Sequence, residues 1–394
     1  MKKILITMPS MFIGGAERSL IGLLEAFDYS KVEVSLFLYR HEGEFVKFIP
    51  EKVKLLPEMA EYRTFDTPIT SLLNAKMLPF AAARLYAKMK MVVNKAITKQ
   101  YSYWIPMQYI SRALQPFLPK IPGEYDLALN FMGVADTLVN KVNAKVKLTW
   151  CHSDYDTVHP DRKMDLWVYD RLDYIVNVSD SCTEKFCNNY PQLRHKTVTI
   201  ENVLAEAMMR REATESVVDF PEEDSLRLLS IGRFNEIKNF HNIPYFCKCL
   251  LDQGLDVKWY IIGYGQDEGR IRDSIAQHGM EDRVVILGKK INPYPYIAGC
   301  DLYVQPSLLE GKSVTVREAQ VFAKPVVITR YATSASQLED GVDGSIVPMD
   351  NEGCAAGIAD LLRDPKKMRA FSEECKRRDY SNAGEVEKIY RLME

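Results

Sequence analysis

The amino-acid sequence predicts an α/β protein built from two doubly wound parallel-sheet domains. Three observations lead there. Short apolar runs alternate with helical stretches along most of the chain, the pattern of repeated βαβ units. The series occurs twice, broken by a polar stretch with turn residues. A length of 394 residues suits two domains, each able to bury a substantial core.

The first series opens at 3–8, a short apolar run that reads as a buried strand. Gly14 and Gly15 then turn the chain into a helix over about 16–27. Residues 32–39 alternate as a second strand, and 125–130, 146–150, 174–178 and 198–200 are further short apolar runs. After Asn202 the sequence EAMMRREATESVVDFPEEDS is polar, so the domain junction falls near 203–222. This divides the chain into 1–203 and 204–379. The second series has strand candidates at 226–231, 257–262, 284–287, 302–304 and 326–329, each meeting Gly, Pro or polar residues at its carboxyl end. A last helix near 384–393, within 380–394, is expected to pack back on the first domain.

Composition narrows the function. The apolar fraction of 47% and charged fraction of 26% are those of a water-soluble globular chain. A formal net charge of -2 gives no reason to expect general nucleic-acid binding. The eight cysteines show no C-x-x-C pair, and Cys247 with Cys249 is too little for a zinc site. The start MKKILITMPS reads as a strand rather than a signal peptide, and no apolar run approaches a membrane span. A reducing, cytoplasmic setting is the expectation.

One segment departs from the alternation. From Thr67 to Gly123 there is no acidic residue, while Lys76, Arg84, Lys88, Lys90, Lys95 and Lys99 are interleaved with Leu, Met, Val, Tyr and Trp. Basic residues beside an apolar face suit a helix lying on an anionic membrane surface. The alternative is a helical insertion packed on its own domain with its lysines in water.

The chemistry concentrates in 301–322, DLYVQPSLLEGKSVTVREAQVF. A short strand leads through a Pro-Ser turn into a loop carrying Glu310, then into a helix carrying Glu318. A helix N-terminus attracts an anion such as phosphate, and carboxylates beside it suit hydroxyl groups, so the segment suggests a sugar-nucleotide site at a strand's carboxyl end. The stretch SIGRFNEIKN at 230–239 follows a strand directly. There Gly232 permits close approach, and Arg233 and Lys238 supply two cations for a diphosphate. Gly14-Gly15 and Gly263-Tyr264-Gly265 are further strand-end loops, neither matching a dinucleotide fingerprint. His152, in KLTWCHSDYD, sits where a first-domain strand ends. Asp154 and Asp156 fit a base or a turn, and no metal site is expected.

In order along the chain, GGAE at 14–17, HSD at 152–154, Asn202, GRFNEIK at 232–238, GYG at 263–265, PSLLEGKSVTVREA at 306–319, KPVV at 324–327 and DGVDG at 340–344 resemble the retaining GT-B glycosyltransferases of family 4, group 1. The two glutamates eight apart, with Gly-Arg-x4-Lys upstream, are the most specific part. The wider pattern is similar to bacterial enzymes that build capsule, exopolysaccharide or O-antigen.

That resemblance implies two Rossmann-like domains facing a central cleft, and transfer of a hexose from a UDP- or GDP-sugar to a saccharide acceptor with retained configuration. It implies no cofactor and no metal. It assigns catalytic roles to Glu310 on donor hydroxyls, Arg233 and Lys238 on the leaving diphosphate, and His152 on the donor sugar. Donor binding falls to Gly14, Gly15, Gly232, Gly263 and Gly265, to the stretch Gly311, Lys312, Ser313, Val314 and Thr315, and to Glu318 on the ribose. The base would lie near 263–265 and 288–291. A lipid-linked acceptor and a peripheral place on the inner membrane face, through 67–123, complete the expectation. Ala332-Thr333 and Lys312-Ser313 depart from the common pattern near the donor, which leaves the sugar open. The competing readings are a phosphorylase or epimerase of the same architecture, or a non-catalytic sugar-nucleotide-binding subunit.

Overall fold

The structure, a computed structural model, describes every residue except 13, 99–101, 103, 154, 216–223 and 311–312, and the side chains of 97, 98, 157 and 215 are likewise left aside. The chain forms two compact units. One is Met1–Ala205 with Asn382–Glu394, and the other is Glu206–Ser381.

The first unit holds a seven-stranded sheet: β1 (Lys2–Met8), β2 (Val32–Leu38), β3 (Lys54–Leu55), β4 (Glu124–Asn130), β5 (Asn143–Cys151), β6 (Tyr174–Asn177) and β7 (Thr197–Thr199). Its order is β3-β2-β1-β4-β5-β6-β7, and every pairing is parallel. Strands covered on both faces need apolar residues on both, which is why β1 and β2 are near-continuous buried runs. The helix Gly15–Ala26 lies so close to the chain leaving β7 that a Cβ on Gly22 would stand 2.3 Å from the Val203 carbonyl oxygen.

Between β3 and β4 the chain makes a helical excursion: Ile69–Asn74, Leu78–Thr98 and Trp104–Leu114. Arg84 anchors it, donating to the carbonyls of Phe65 at 2.8 Å and Thr67 at 3.1 Å. The Tyr62 hydroxyl closes the far side on the Pro119 carbonyl at 2.7 Å. The chain end, with the helix Val386–Arg391, joins this unit. Tyr390 accepts from the Asp28 amide at 2.8 Å, and Glu385 accepts from the Glu201 amide at 2.8 Å.

The second unit holds six strands: β8 (Leu226–Ile231), β9 (Val257–Ile262), β10 (Val284–Gly288), β11 (Leu302–Gln305), β12 (Val326–Thr329) and β13 (Ser345–Val347). The order is β10-β9-β8-β11-β12-β13, again all parallel. In both sheets the order reverses beside the first strand, between β1 and β4 and between β8 and β11. In an open parallel sheet the crevice outside the carboxyl ends at such a reversal is where ligands bind. Two strands are absent from the sequence reading, β3 and β13. They have two and three residues, too few for any periodicity to show.

Candidate active site

In the second unit the loops after β8 and β11 meet at that reversal. The Leu308 amide donates to the Ile237 carbonyl at 2.7 Å, tying one loop to the other. This places Lys238 against Glu310, and the two form an ion pair with side chains only 19% and 12% exposed. Glu310 also accepts from the Ser307 hydroxyl at 2.7 Å. Behind Ser307 runs a buried polar string. Gln305 donates to Ser307 at 2.9 Å, and the Tyr303 hydroxyl donates to Gln305 at 2.8 Å. From the neighbouring strand Thr329 bonds the Ser307 carbonyl, and from the loop beyond that strand Thr333 donates to the Glu310 carbonyl at 2.7 Å. The carboxylate is thus held from its side chain and from its backbone. Tyr331 lies beside it, buried, with a hydroxyl that has no partner among the described residues.

Arg233 is exposed, with no side-chain partner among the described residues, and is available to an anion. Gly232 carries the stem of Lys238 over it, since a Cβ there would lie 3.3 Å from Lys238 Cε. Gly263 and Gly265 have a structural use that spacing did not reveal. A Cβ on Gly263 would stand 1.9 Å from the Gly232 carbonyl oxygen, and one on Gly265 2.2 Å from that of Phe234. The loop 263–265 packs backbone to backbone on 232–234, with the Phe234 amide donating to the Tyr264 carbonyl at 2.8 Å.

The helix Val314–Val321 starts beside Glu310, and its N-cap residue Ser313 makes no side-chain cap hydrogen bond. Amides of the first turn at Val314 and Thr315 suit an anion. The Ser313 amide, however, already donates to Gln337 at 2.7 Å. Thr315 and Ser313 share a hydroxyl contact of 3.1 Å. Glu318 is buried, 3% exposed, with the Tyr294 hydroxyl 3.4 Å from its carboxylate. Gly311 and Lys312 lie outside the described residues.

In the first unit the corresponding reversal carries Gly14, Gly15 and His152. Gly15 opens on free space, with nothing within 4 Å of a built Cβ, whereas Gly14 is pressed by the Glu17 carboxylate at 2.2 Å from such a Cβ. Burial raises the Glu17 carboxyl above its usual range. His152 follows β5. Its Nε2 lies 2.9 Å from the Phe131 carbonyl oxygen, and its ring stacks on Trp150 at 6.3 Å and meets Phe131 at 4.8 Å. Burial pushes the imidazole down to about 4, so it is neutral at physiological pH. A carbonyl can only accept, so Nε2 carries the proton and Nδ1 keeps a lone pair for a donor hydroxyl. Asp154 lies outside the described residues. Asp156 accepts from Asn189 at 2.9 Å.

Sequence reasoning missed Gln305, Ser307, Thr329, Thr333 and Tyr331. A polar residue ending an otherwise apolar buried run, as Gln305 does, was the available signal. The hydroxyls became significant only when β12 was laid beside β11.

Residues 212–378 match the family model of glycosyl transferases group 1. Over 389 residues the chain is 26% identical to the N-acetylgalactosamine-N,N'-diacetylbacillosaminyl-diphospho-undecaprenol 4-alpha-N-acetylgalactosaminyltransferase of Campylobacter jejuni, covering 96% of this chain and 95% of that one. It is 32% identical over 145 residues to the amylovoran biosynthesis glycosyltransferase AmsK of Erwinia amylovora, about a third of each chain at 35% and 35%. Among solved structures, S. aureus TarM in complex with UDP is similar with a TM-score of 0.63 at 13% identity, covering 100% of both chains. Anabaena HepE in complex with UDP and glucose is similar with a TM-score of 0.63 at 16% identity, covering 100% of this chain and 99% of that one. The two parallel-sheet units together with these likenesses give the GT-B fold.

Proposed function

We propose that the protein is a retaining glycosyltransferase of family 4. It moves a hexose from a UDP- or GDP-sugar to a lipid-linked saccharide acceptor in bacterial surface polysaccharide synthesis. The observation that carries this reading is the meeting of Lys238 with Glu310 ahead of a helix N-terminus, at the strand-order reversal of the second unit, with Arg233 exposed in the same loop as Lys238. Two cations and a row of first-turn amides suit a diphosphate, and a carboxylate fixed by Ser307 suits sugar hydroxyls.

The chemistry follows from charge. As the anomeric C–O bond breaks, negative charge grows on the departing diphosphate, and Arg233, Lys238 and the amides of Val314 and Thr315 stabilise it where it develops. The leaving phosphate oxygen accepts the proton of the acceptor hydroxyl that attacks the same face, so configuration is retained. Lys238 must then divide its charge between Glu310 and the diphosphate, which couples donor binding to the freeing of a Glu310 oxygen for the sugar. His152 offers Nδ1 as an acceptor for a donor hydroxyl, and Gly15 admits the donor because nothing fills the space beside it. Glu318 holds the ribose, and the base lies near 263–265. No metal or other cofactor has a step in this scheme.

Membrane association falls to the helix Leu78–Thr98. Its exposed residues Leu85, Met89 and Val92 are four and three positions apart, with Leu78 two turns before Leu85, and Lys88, Lys90 and Lys95 lie on the same helix. No described helix is long and apolar enough to cross a membrane.

A thermal-shift panel of UDP-, GDP- and ADP-sugars, with wild type beside Glu310→Ala, tests the reading. A donor that stabilises the wild type and slowly releases its nucleoside diphosphate supports it. No response to any donor or free nucleotide sinks it, and stabilisation by a donor without release of nucleoside diphosphate favours a non-catalytic sugar-nucleotide-binding subunit.

A further inference from the structure

Between the helical excursion of the first unit and the segment 155–167 lie two cavities that no part of the donor chemistry uses. One has a volume of about 790 Å³ and is lined by Ala82, Tyr86, Tyr109, Pro116, Phe117 and Trp167 among others. The other, of about 620 Å³, is polar and includes Asp156, His159, Arg162 and Asn189 in its lining. They share Asp161 and Lys163, so they adjoin.

The helices explain the continuity. Ala82, Tyr86, Lys90 and Asn94 are four apart on the helix Leu78–Thr98 and form one row, the first three lining the apolar cavity and Asn94 the polar one. On the helix Trp104–Leu114, Ile105 lines the polar cavity, while Tyr109, Arg112 and Ala113 line the apolar one. From Ala82 to Asn94 a helix rises about 18 Å. The result is one groove, greasy at one end and polar at the other.

Its charge is uneven. Among the described residues Lys90 and Lys163 form no ion pair, and Arg162 meets the Asn189 amide oxygen at 2.6 Å and the face of Tyr190. Arg112 is neutralised by Asp136 at 2.6 Å and lies 4.0 Å over the Trp167 ring, so it belongs to the wall. The carboxylate of Asp161 is committed elsewhere. It accepts from the amides of Lys163 and Met164 at 3.1 and 3.3 Å and from Tyr109 at 3.2 Å. Among the described residues, Lys90, Lys163 and Arg162 therefore line the groove without a carboxylate partner, and Lys163 lines both cavities.

We propose that this groove seats the prenyl diphosphate of the lipid-linked acceptor. The prenyl chain lies along Tyr86, Phe117 and Trp167, the diphosphate against Lys90, Lys163 and Arg162, and the saccharide occupies the polar cavity. An amphiphile with a dianionic junction between chain and sugar matches the order apolar, cationic, polar along the groove. The inference rests on the lipid-linked reading of the acceptor and says where that acceptor is held.

Titration of the full chain with geranylgeranyl diphosphate and with geranylgeraniol, followed by calorimetry, tests it. Wild type is expected to bind the diphosphate at one saturable site, with the alcohol at least tenfold weaker. Ala82→Trp fills the apolar end from an exposed position, and Lys163→Glu reverses charge at the join. Each is expected to weaken the diphosphate at least tenfold while binding of UDP or GDP stays within twofold of wild type. Equal binding of the diphosphate by wild type and both variants overturns the proposal, as does equal binding of the alcohol. Displacement of the diphosphate by phosphatidylglycerol vesicles also overturns it, in favour of a general lipid surface. If neither UDP nor GDP binds the wild type, the transferase reading fails instead, whatever the groove does.

Discussion

Replacing Lys238 by Met would leave Glu310 mostly buried with Ser307 as its remaining side-chain partner. Replacing Glu310 by Gln would leave the Lys238 ammonium equally stranded. At a charge separation of about 4 Å and an effective dielectric of about 20, the pair attracts by about 4 kcal/mol. Desolvation and ordering of two mostly buried side chains offset part of that, so a coupling of about 1–3 kcal/mol is expected. Each single variant should lose about 2–3 kcal/mol of unfolding free energy, because each strands a charge. The double variant Lys238→Met/Glu310→Gln should lose less than the sum. Urea unfolding of the four proteins at one pH and ionic strength measures the coupling as the departure from additivity. The same proteins separate stability from chemistry. Glu310→Gln frees the ammonium for the diphosphate, so nucleotide affinity should hold or rise while transfer falls at least a hundredfold. A coupling below about 0.5 kcal/mol, the usual scatter of independent sites, would refute the claim that these two charges hold each other.

Gly263→Ala should cost more than about 2 kcal/mol in urea unfolding, because its Cβ would collide with a backbone oxygen rather than a movable side chain. Gly15→Ala, in open space at a helix start, should leave the melting temperature within a degree or two and lower donor affinity if the donor passes there. His152 has its pKa lowered by burial from 6.5 to about 4, so its contribution is present above pH 6.5 and lost as pH falls toward 4, about 3 kcal/mol in all. Denaturant midpoints of wild type and His152→Gln between pH 4 and 7.5 should converge at the acid end. Asp165, buried against Gln108 at 2.6 Å and Tyr190 at 2.9 Å, has the opposite sign. Burial raises it from 3.8 to about 7, so its contribution is full in acid and fades as pH rises to 7. Asp165→Asn should remove that slope.

The sequence by itself determined the class of fold. Parallel strands covered on both faces are mostly apolar, and β1, β8 and β9 announce themselves by that run and by the polar residues that follow, while β2 shows itself by alternation. It also marked Arg233, Lys238, Glu310 and His152 at strand ends as candidates, with the roles assigned to them coming from the family resemblance. Tertiary structure alone decided what those residues do to each other. Lys238 and Glu310 are seventy-two positions apart, and only the pairing of β8 with β11 turns two free charges into one neutralised pair. The same is true of Gly263 and Gly265, which the family resemblance assigned to the donor and which in the fold let two backbones touch. Thr329 carries no signature at all, and Ser307 and Thr333 show only as part of a motif and as a departure from the family pattern, since a hydroxyl gains a role only from the partner set beside it. The row from Ala82 to Asn94 is legible as helical spacing, but a groove needs a second wall. Periodicity describes one element at a time, while a site is made by the packing of several.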